Sequence, residues 1–133
     1  MSILGIDFGK KWIGLAISDG EFAQGIGCFQ TGEVVERIRA LIKQEEMITT
    51  IVIGRPEGRL KEAVEKFGSA LHKHFNIPII FWEETLTSRA ARERLSELGA
   101  RNKSRKTKEH QVAATLLLQD YLDSRKTSFV YDS

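Results

Sequence analysis

The sequence predicts an α/β domain built on one mixed five-stranded sheet that helices flank. The chain opens with three short apolar runs separated by turn residues, a pattern typical of antiparallel strands. It continues with segments of helical periodicity that alternate with short, continuously apolar strands. Right-handed crossovers would place those later strands parallel to the first. The 133 residues suit a single domain, which we expect to span 1–133.

The three antiparallel strands occupy the first quarter of the chain. Residues 3–8 and 12–17 are two apolar runs that form a hairpin around a turn at 9–11. A second turn, which contains Asp19 and Gly20, leads to a third strand over residues 25–31.

Two helices and two buried strands follow in alternation. Apolar residues at three-and-four spacing predict helices over 33–46 and 60–75. Continuous apolar runs predict strands buried on both faces over 49–54 and 77–82.

The last part of the chain is predicted to be helical, with one interruption. Thr87 or Ser88 caps a third helix that ends at Gly99, and Thr107 caps the last helix. Residues 99–107 have no apolar periodicity, so we expect a flexible basic loop there.

Positive charge is concentrated in one part of the chain. The formal net charge is only +2, yet eight basic residues between positions 89 and 108 stand against two acids, Glu93 and Glu97. A basic segment on a mildly acidic body is typical of a protein that contacts a polyanion such as nucleic acid. A solvated loop without a partner is the alternative interpretation.

The sequence favours a protein of the reducing cytoplasm. It has no apolar run of the length that crosses a membrane and no charged-then-apolar leader. Cys28 is the only cysteine, cannot form an internal disulfide and lies in an apolar run, so we interpret it as a small core residue.

Asp7 is an isolated acid in an otherwise apolar strand. Burying an unpaired carboxylate costs several kcal/mol, so this residue needs a partner. The usual partners are a metal ion or a cation. Hydrogen bonds from backbone amides remain the structural alternative.

Further polar groups are expected to converge on Asp7. Glu83 and Glu84 end the last predicted strand, and side-chain alternation allows only one of them to share the face of Asp7. His110 lies on the same face of the last helix as small alanines, which permit close approach to the sheet. Carboxylates in such a crevice can bridge divalent ions that activate water for attack on a phosphodiester.

The motifs on these elements resemble those of the YqgF (RuvX) family. That family has a ribonuclease H-like fold and is related to the RuvC Holliday-junction resolvases. The resemblance lies in residues 3–19, 53–56, 83–88 and 110–122, in order along the whole chain. It implies a metal-dependent nuclease that processes precursor 16S rRNA in ribosome biogenesis or resolves branched DNA. The implied partners are pre-rRNA, branched DNA or ribosomal assembly intermediates.

The resemblance also implies a set of catalytic residues. Asp7 matches the first catalytic acid of the family and Glu84 the glutamate of the second motif, with Glu83 beside it. His110 stands where the family usually has aspartate, and Glu109 is the neighbour that could supply an oxygen ligand instead. The expected metal ligands are Asp7, Glu84 and His110, and the expected ion is Mg²⁺ or Mn²⁺.

The departures from the family pattern leave an alternative open. Thr85 replaces the usual arginine, and the segment after Pro56 is shorter than usual. With His110 in place of the third aspartate, the chain could be a catalytically impaired nucleic-acid-binding module. His110 would then be a partly buried polar residue without a catalytic role.

The basic residues near the expected crevice and in the basic segment are the candidates for binding the phosphodiester backbone. They are Lys10, Lys11, Arg55, Arg89, Arg92, Arg101, Lys103, Arg105, Lys106 and Lys108.

Overall fold

A computed structural model describes most of the chain. It covers residues 1–44, 47–56, 58–83, 89–91, 93–94, 97 and 103–132, with the backbone alone for 103–107 and 126–132. The elements in chain order are β1 (Ser2–Asp7), β2 (Trp12–Ser18), β3 (Ala23–Gln30), α1 (Val34–Gln44), β4 (Ile48–Gly54), α2 (Leu60–Phe75), β5 (Ile79–Trp82) and α3 (Lys103–Asp132).

The five strands form one sheet in the order β3-β2-β1-β4-β5. β2 pairs antiparallel with both β1 and β3, whereas β4 pairs in parallel with β1 and β5 in parallel with β4. The predicted mixed sheet and its topology are therefore confirmed. Because β1, β4 and β5 are parallel, their carboxyl ends lie at the same edge of the sheet.

Each face of the sheet carries its own apolar cluster, which explains the continuous apolar runs in β1 and β4. Leu4 and Ile6 point to the face that α1 and α2 cover, where they pack with Ile38 and Val64. Ile3 points to the other face. There α3 contributes its buried Ala114, Leu118 and Leu122, together with half-buried Tyr121. Strand alternation puts Asp7 on the face of Ile3, and therefore on the α3 face.

The last helix begins earlier than the sequence analysis expected. α3 starts at Lys103, so Thr107 is not its cap and residues 103–107 are not part of a loop. Lysine and arginine are good helix formers, and a helix already docked through its later turns extends at little cost through a polar segment. The prediction failed because it relied on apolar periodicity, which a polar segment does not have even where its backbone is helical. The rest of the predicted loop lies outside the described residues.

The other differences are small. β3 begins two residues earlier than predicted and β5 begins at Ile79 rather than at residue 77. Helix α1 covers Val34–Gln44, and residues 45 and 46 lie outside the described part of the chain. The described residues between 89 and 97 are helical, as predicted, although both proposed ends of that helix lie outside the description.

Across the described residues, no helix has the combination of length and hydropathy that a membrane crossing requires.

Candidate functional site

A pocket of about 690 Å³ opens at the edge of the sheet where the parallel strands end. The ends of β1, β4 and β5 form its floor, and the start of α2, the helical residues near 89 and one face of α3 form its walls. Its charged and titratable lining residues are Asp7, Lys10, Arg55, Glu83, Arg89, Glu93, Glu109 and His110. An open polar cleft at strand ends is the usual location of a ligand site in such a sheet.

Asp7 and His110 are in direct contact in this pocket. The Nδ1 atom of His110 lies 2.7 Å from the Oδ2 atom of Asp7, and their side chains are 31% and 13% exposed. The two residues are 103 positions apart in the chain. The prediction that the last helix brings His110 to the crevice of Asp7 is confirmed. The sequence analysis expected a metal ion or a cation as the partner of Asp7, and the structure shows His110 as a hydrogen-bonded partner.

The contact determines which nitrogen of His110 carries a proton. An ionised carboxylate only accepts hydrogen bonds, so Nδ1–H is the donor and Asp7 the acceptor. The bond therefore orients both groups, because it directs the Nδ1 edge of the imidazole ring toward one oxygen of the carboxylate.

Two glycines make room for this arrangement. Gly14 on β2 is the register partner of Asp7, and a Cβ atom at Gly14 would overlap the main-chain carbonyl of His110. A Cβ atom at Gly9 would lie 2.7 Å from Cε1 and 3.0 Å from Nε2 of the His110 ring. Helix α3 therefore approaches the sheet at Gly14, and the imidazole ring fills the space beside Gly9.

The turn between β1 and β2 is tied to the end of β3. The Thr31 hydroxyl donates a hydrogen bond of 2.9 Å to the carbonyl oxygen of Lys10, and the Thr31 N–H donates one of 3.2 Å to that of Lys11. These bonds anchor the backbone on which Lys10 borders the pocket, whereas Lys11 is exposed beside it.

Cys28 lies close to the site and is only half-buried, rather than within the core as expected. It is the register partner of Gly14, and its Sγ accepts a hydrogen bond of 3.0 Å from the Gln111 N–H. Burial raises the pKa of this thiol, the Gln111 amide lowers it and the negative charge of Asp7 raises it again. The net rise keeps the thiol protonated near neutral pH, which argues against a nucleophilic role.

The other predicted acids are only partly described. Glu83 is exposed just after β5 and Glu109 is half-buried on α3, and both line the pocket. Glu84 lies outside the described residues. Glu93, which the sequence analysis counted only as a charge within the basic segment, also lines the pocket.

The donors of the pocket suit a hard divalent cation. Carboxylate oxygens of this kind are the ligands that Mg²⁺ and Mn²⁺ prefer, and such ions keep several water ligands. The pocket lining contains four acids and three bases. A bound cation would therefore also reduce the repulsion among the four carboxylates. Within the part of the chain that is described, no three histidine, cysteine, aspartate or glutamate side chains are close enough to hold a metal ion together.

The predicted nucleic-acid-binding residues fall into three groups. Lys10, Arg55 and Arg89 line the pocket. Lys11 and Lys108 are exposed outside it. Lys103, Arg105 and Lys106 belong to the first turns of α3, where only the backbone is described, and Arg92 and Arg101 lie outside the description.

The sequence analysis missed Gly9 and Gly14 as part of the site. An isolated glycine inside a strand pattern often marks a close backbone approach, so Gly14 did carry a signal. Gly9 looked like an ordinary turn residue. The approach of His110 to both glycines could not be read from the chain, because residue 110 is about a hundred positions away from each of them.

Comparisons with known proteins agree with this arrangement of elements. The model of the family described as "RuvX: Holliday junction resolvase" matches residues 1–124. A protein of Caldanaerobacter subterraneus subsp. tengcongensis named "Putative pre-16S rRNA nuclease" is 38% identical over 139 residues, which cover 96% of this chain and all of that protein. A protein of the same name from Bacillus subtilis strain 168 is 36% identical, and the matched region covers 93% of this chain and 99% of that protein.

Solved structures support the fold. RuvC of Thermus thermophilus, solved with a Holliday junction substrate, superposes with a TM-score of 0.59 at 14% identity and covers 95% of this chain and 96% of its own. The fowlpox virus Holliday junction resolvase superposes with a TM-score of 0.55 at 15% identity, covering 93% of this chain and 99% of its own. The resemblance is thus to the sheet and helices of ribonuclease H-like resolvases.

Proposed function

This chain belongs to the RuvX family and is a nuclease, a hydrolase of phosphodiester bonds, and we propose that it cuts its nucleic acid in the pocket at Asp7 and His110. The observation that carries the proposal is the 2.7 Å contact between these two side chains, at the edge where three parallel strands end. Basic side chains also line this pocket, and such side chains are what binds the phosphates of a nucleic acid.

Asp7 would hold a divalent metal ion, with Glu84 and His110 as the further proposed ligands and Glu83 or Glu109 as additional carboxylates. When bound, the ion would polarise the phosphodiester and make water nucleophilic at neutral pH. An imidazole ligand suits Mn²⁺ better than Mg²⁺, so we propose Mn²⁺ as the better activator.

Other side chains of the pocket would orient Asp7, transfer a proton and bind the substrate. Asp7 is oriented by the Nδ1–H of His110, which leaves Nε2 as the one ring nitrogen for the other proposed roles of His110. At Nε2 the ring would either ligate the ion or, as the alternative, take up or release a proton. Lys10, Arg55 and Arg89 would bind non-bridging oxygens of the substrate backbone and position the scissile bond.

The proposed substrate is precursor 16S rRNA. Its support is the name shared by relatives that are 36–38% identical over nearly the full length of both chains. Branched DNA is the second candidate, because the matching family is described as a Holliday junction resolvase. Either substrate would place the protein in the cytoplasm, which fits its lone reduced cysteine.

The test compares Asp7→Asn with Asp19→Asn, a control that removes the same charge from an exposed turn. Asp7→Asn keeps the shape of the side chain but weakens its hold on a cation. We expect cleavage of a precursor 16S rRNA fragment to fall by at least about a hundredfold, while the melting temperature changes little. Asp19→Asn should cut at the wild-type rate, and EDTA should stop both active proteins until Mn²⁺ is restored.

Cleavage that persists in Asp7→Asn or in EDTA would contradict the proposed chemistry. A wild-type protein that binds RNA or DNA without cutting either would support the alternative, a catalytically impaired binding module. The family match and the names of the relatives favour the nuclease.

A further inference from the structure

Arg55 lines the pocket but is bound to an acid that lies outside it. The residue follows β4 directly, and its N–H donates a hydrogen bond of 2.9 Å to the carbonyl oxygen of Trp82, which anchors its main chain. Its Nη2 atom lies 3.1 Å from the Oε1 atom of Glu65 on α2. Glu65 is not among the residues that line the pocket. The guanidinium group is therefore shared between the pocket and a surface helix.

This ion pair is weak enough to be replaced. The Arg55 and Glu65 side chains are 38% and 44% exposed, so water and salt screen their attraction. Ion pairs at such exposure change an equilibrium by no more than about fivefold. A phosphodiester can bind guanidinium through two parallel hydrogen bonds, so a phosphate seated in the pocket would compete with Glu65 successfully.

The charges around the pocket make such seating selective. Four acids, Asp7, Glu83, Glu93 and Glu109, line it beside three bases, and this excess of negative charge disfavours a phosphate that no further contact holds in place.

We propose that Glu65 is a specificity-determining residue that withholds Arg55 from non-substrate nucleic acid. Its carboxylate pairs with Arg55 until a substrate phosphodiester enters the pocket and takes its place. This inference rests on the proposed function, because it assumes that the pocket receives a phosphodiester.

The experiment compares Glu65→Gln with Glu62→Gln, which makes the same charge change nearby on the same helix. Glu62 pairs with Lys66 at 3.5 Å, both side chains are more than three-quarters exposed, and neither residue lines the pocket. Binding of single-stranded oligouridine, a probe without structure, is measured by fluorescence anisotropy over a salt series. Melting temperatures check that both variants fold.

Glu65→Gln should bind oligouridine about two- to fivefold more tightly than wild type. The slope of log affinity against log salt should steepen by about 0.7, as the binding of one further phosphate requires. Glu62→Gln should keep the wild-type slope. For a precursor 16S rRNA fragment, affinity should rise less than for oligouridine, so discrimination between the two falls.

A second variant separates the release of Arg55 from a general loss of negative charge. In an Arg55→Ala background, Glu65→Gln should neither tighten binding nor change the slope. Equal behaviour of Glu65→Gln and Glu62→Gln, or a gain that survives without Arg55, overturns the inference even if wild type cuts RNA. A wild-type protein that binds no nucleic acid overturns the proposed function and this inference together.

Discussion

At the scale of single residues, the geometry of the site depends on the lack of a Cβ atom at Gly9. The His110 ring reaches Asp7 because Gly9 has no side chain in the space that the ring occupies. The hydrogen bond between the Asp7 and His110 side chains therefore depends on the small size of Gly9.

Gly9→Ala should disable the site without unfolding the protein. The new methyl group would press on the Trp12 carbonyl oxygen and lie 2.7 Å from Cε1 of His110, so the ring would have to move away from Asp7. We expect kcat/KM for RNA cleavage to fall about a hundredfold, since small misplacements of catalytic groups have effects of that size. The free energy of unfolding should fall by about 1–3 kcal/mol.

The matched control is Gly32→Ala, because a Cβ atom at Gly32 would meet nothing within 4 Å. That variant should match wild type in both measurements. Full activity of Gly9→Ala would show that cleavage does not depend on the position of the His110 ring.

At the scale of elements, α3 carries His110 to the sheet by lying on glycines of adjacent strands. Cβ atoms at Gly5 on β1, Gly14 on β2 and Gly25 on β3 would each come within 3.0 Å of α3, or overlap it. The helix is fixed further along by Gln119, whose Oε1 accepts a 2.8 Å hydrogen bond from the Ala23 N–H. Close backbone approach and this polar contact set the depth and the register of the helix.

Gly14→Ala should destabilise the protein more than any exposed substitution. Its methyl group would overlap the main-chain carbonyl of His110, which cannot rotate away, so α3 would have to lift from the sheet. We expect a loss of about 3 kcal/mol or more in the free energy of unfolding, measured by urea denaturation.

Gly54→Ala provides the graded comparison. Its methyl group would lie 3.1 Å from Cδ2 of Leu117, the end of a side chain that can shift. The cost should stay below about 1.5 kcal/mol. Equal losses in the two variants would refute the idea that backbone contact at Gly14 sets the position of α3.

At the scale of the whole molecule, a pocket lined by four acids and three bases lies next to a segment of the chain in which bases predominate. The basic segment continues into the first turns of α3 and leads directly to Glu109 and His110. A substrate bound along those turns would be brought to the pocket by attraction that does not depend on base sequence.

Replacing Lys106 and Lys108 with glutamine should weaken binding of nucleic acid and flatten its salt dependence. The slope of log affinity against log salt should decrease by about 0.7 for each phosphate of a single strand that the variant no longer binds. Replacing Lys43 and Lys73, which are exposed on α1 and α2, removes the same charge elsewhere and should change the slope little. If both double variants behave alike, overall charge rather than the basic segment governs binding.

The sequence predicted the strands well because apolar periodicity reports burial directly. Alternation in β1 was sufficient to put Asp7 on one face, and three-and-four spacing in the last helix was sufficient to turn His110 toward it. The start of that helix was wrong because Lys103 lies in a polar stretch, where hydrophobic pattern carries no information. The catalytic roles of Asp7, Glu84 and His110 stay predictions.

What the chain by itself determined is the mixed sheet, the antiparallel and parallel directions of its strands and the meeting of an acid with the last helix, since these follow from local patterns and the handedness of crossovers. The tertiary structure alone decided that the partner of Asp7 is the Nδ1 atom of His110, that Gly9 and Gly14 provide the space, and that Glu65 pairs with Arg55. Most of these contacts join residues far apart in the chain. All of them would be lost or changed if the atoms shifted by a few tenths of an ångström. Only the packed fold fixes distances on that scale.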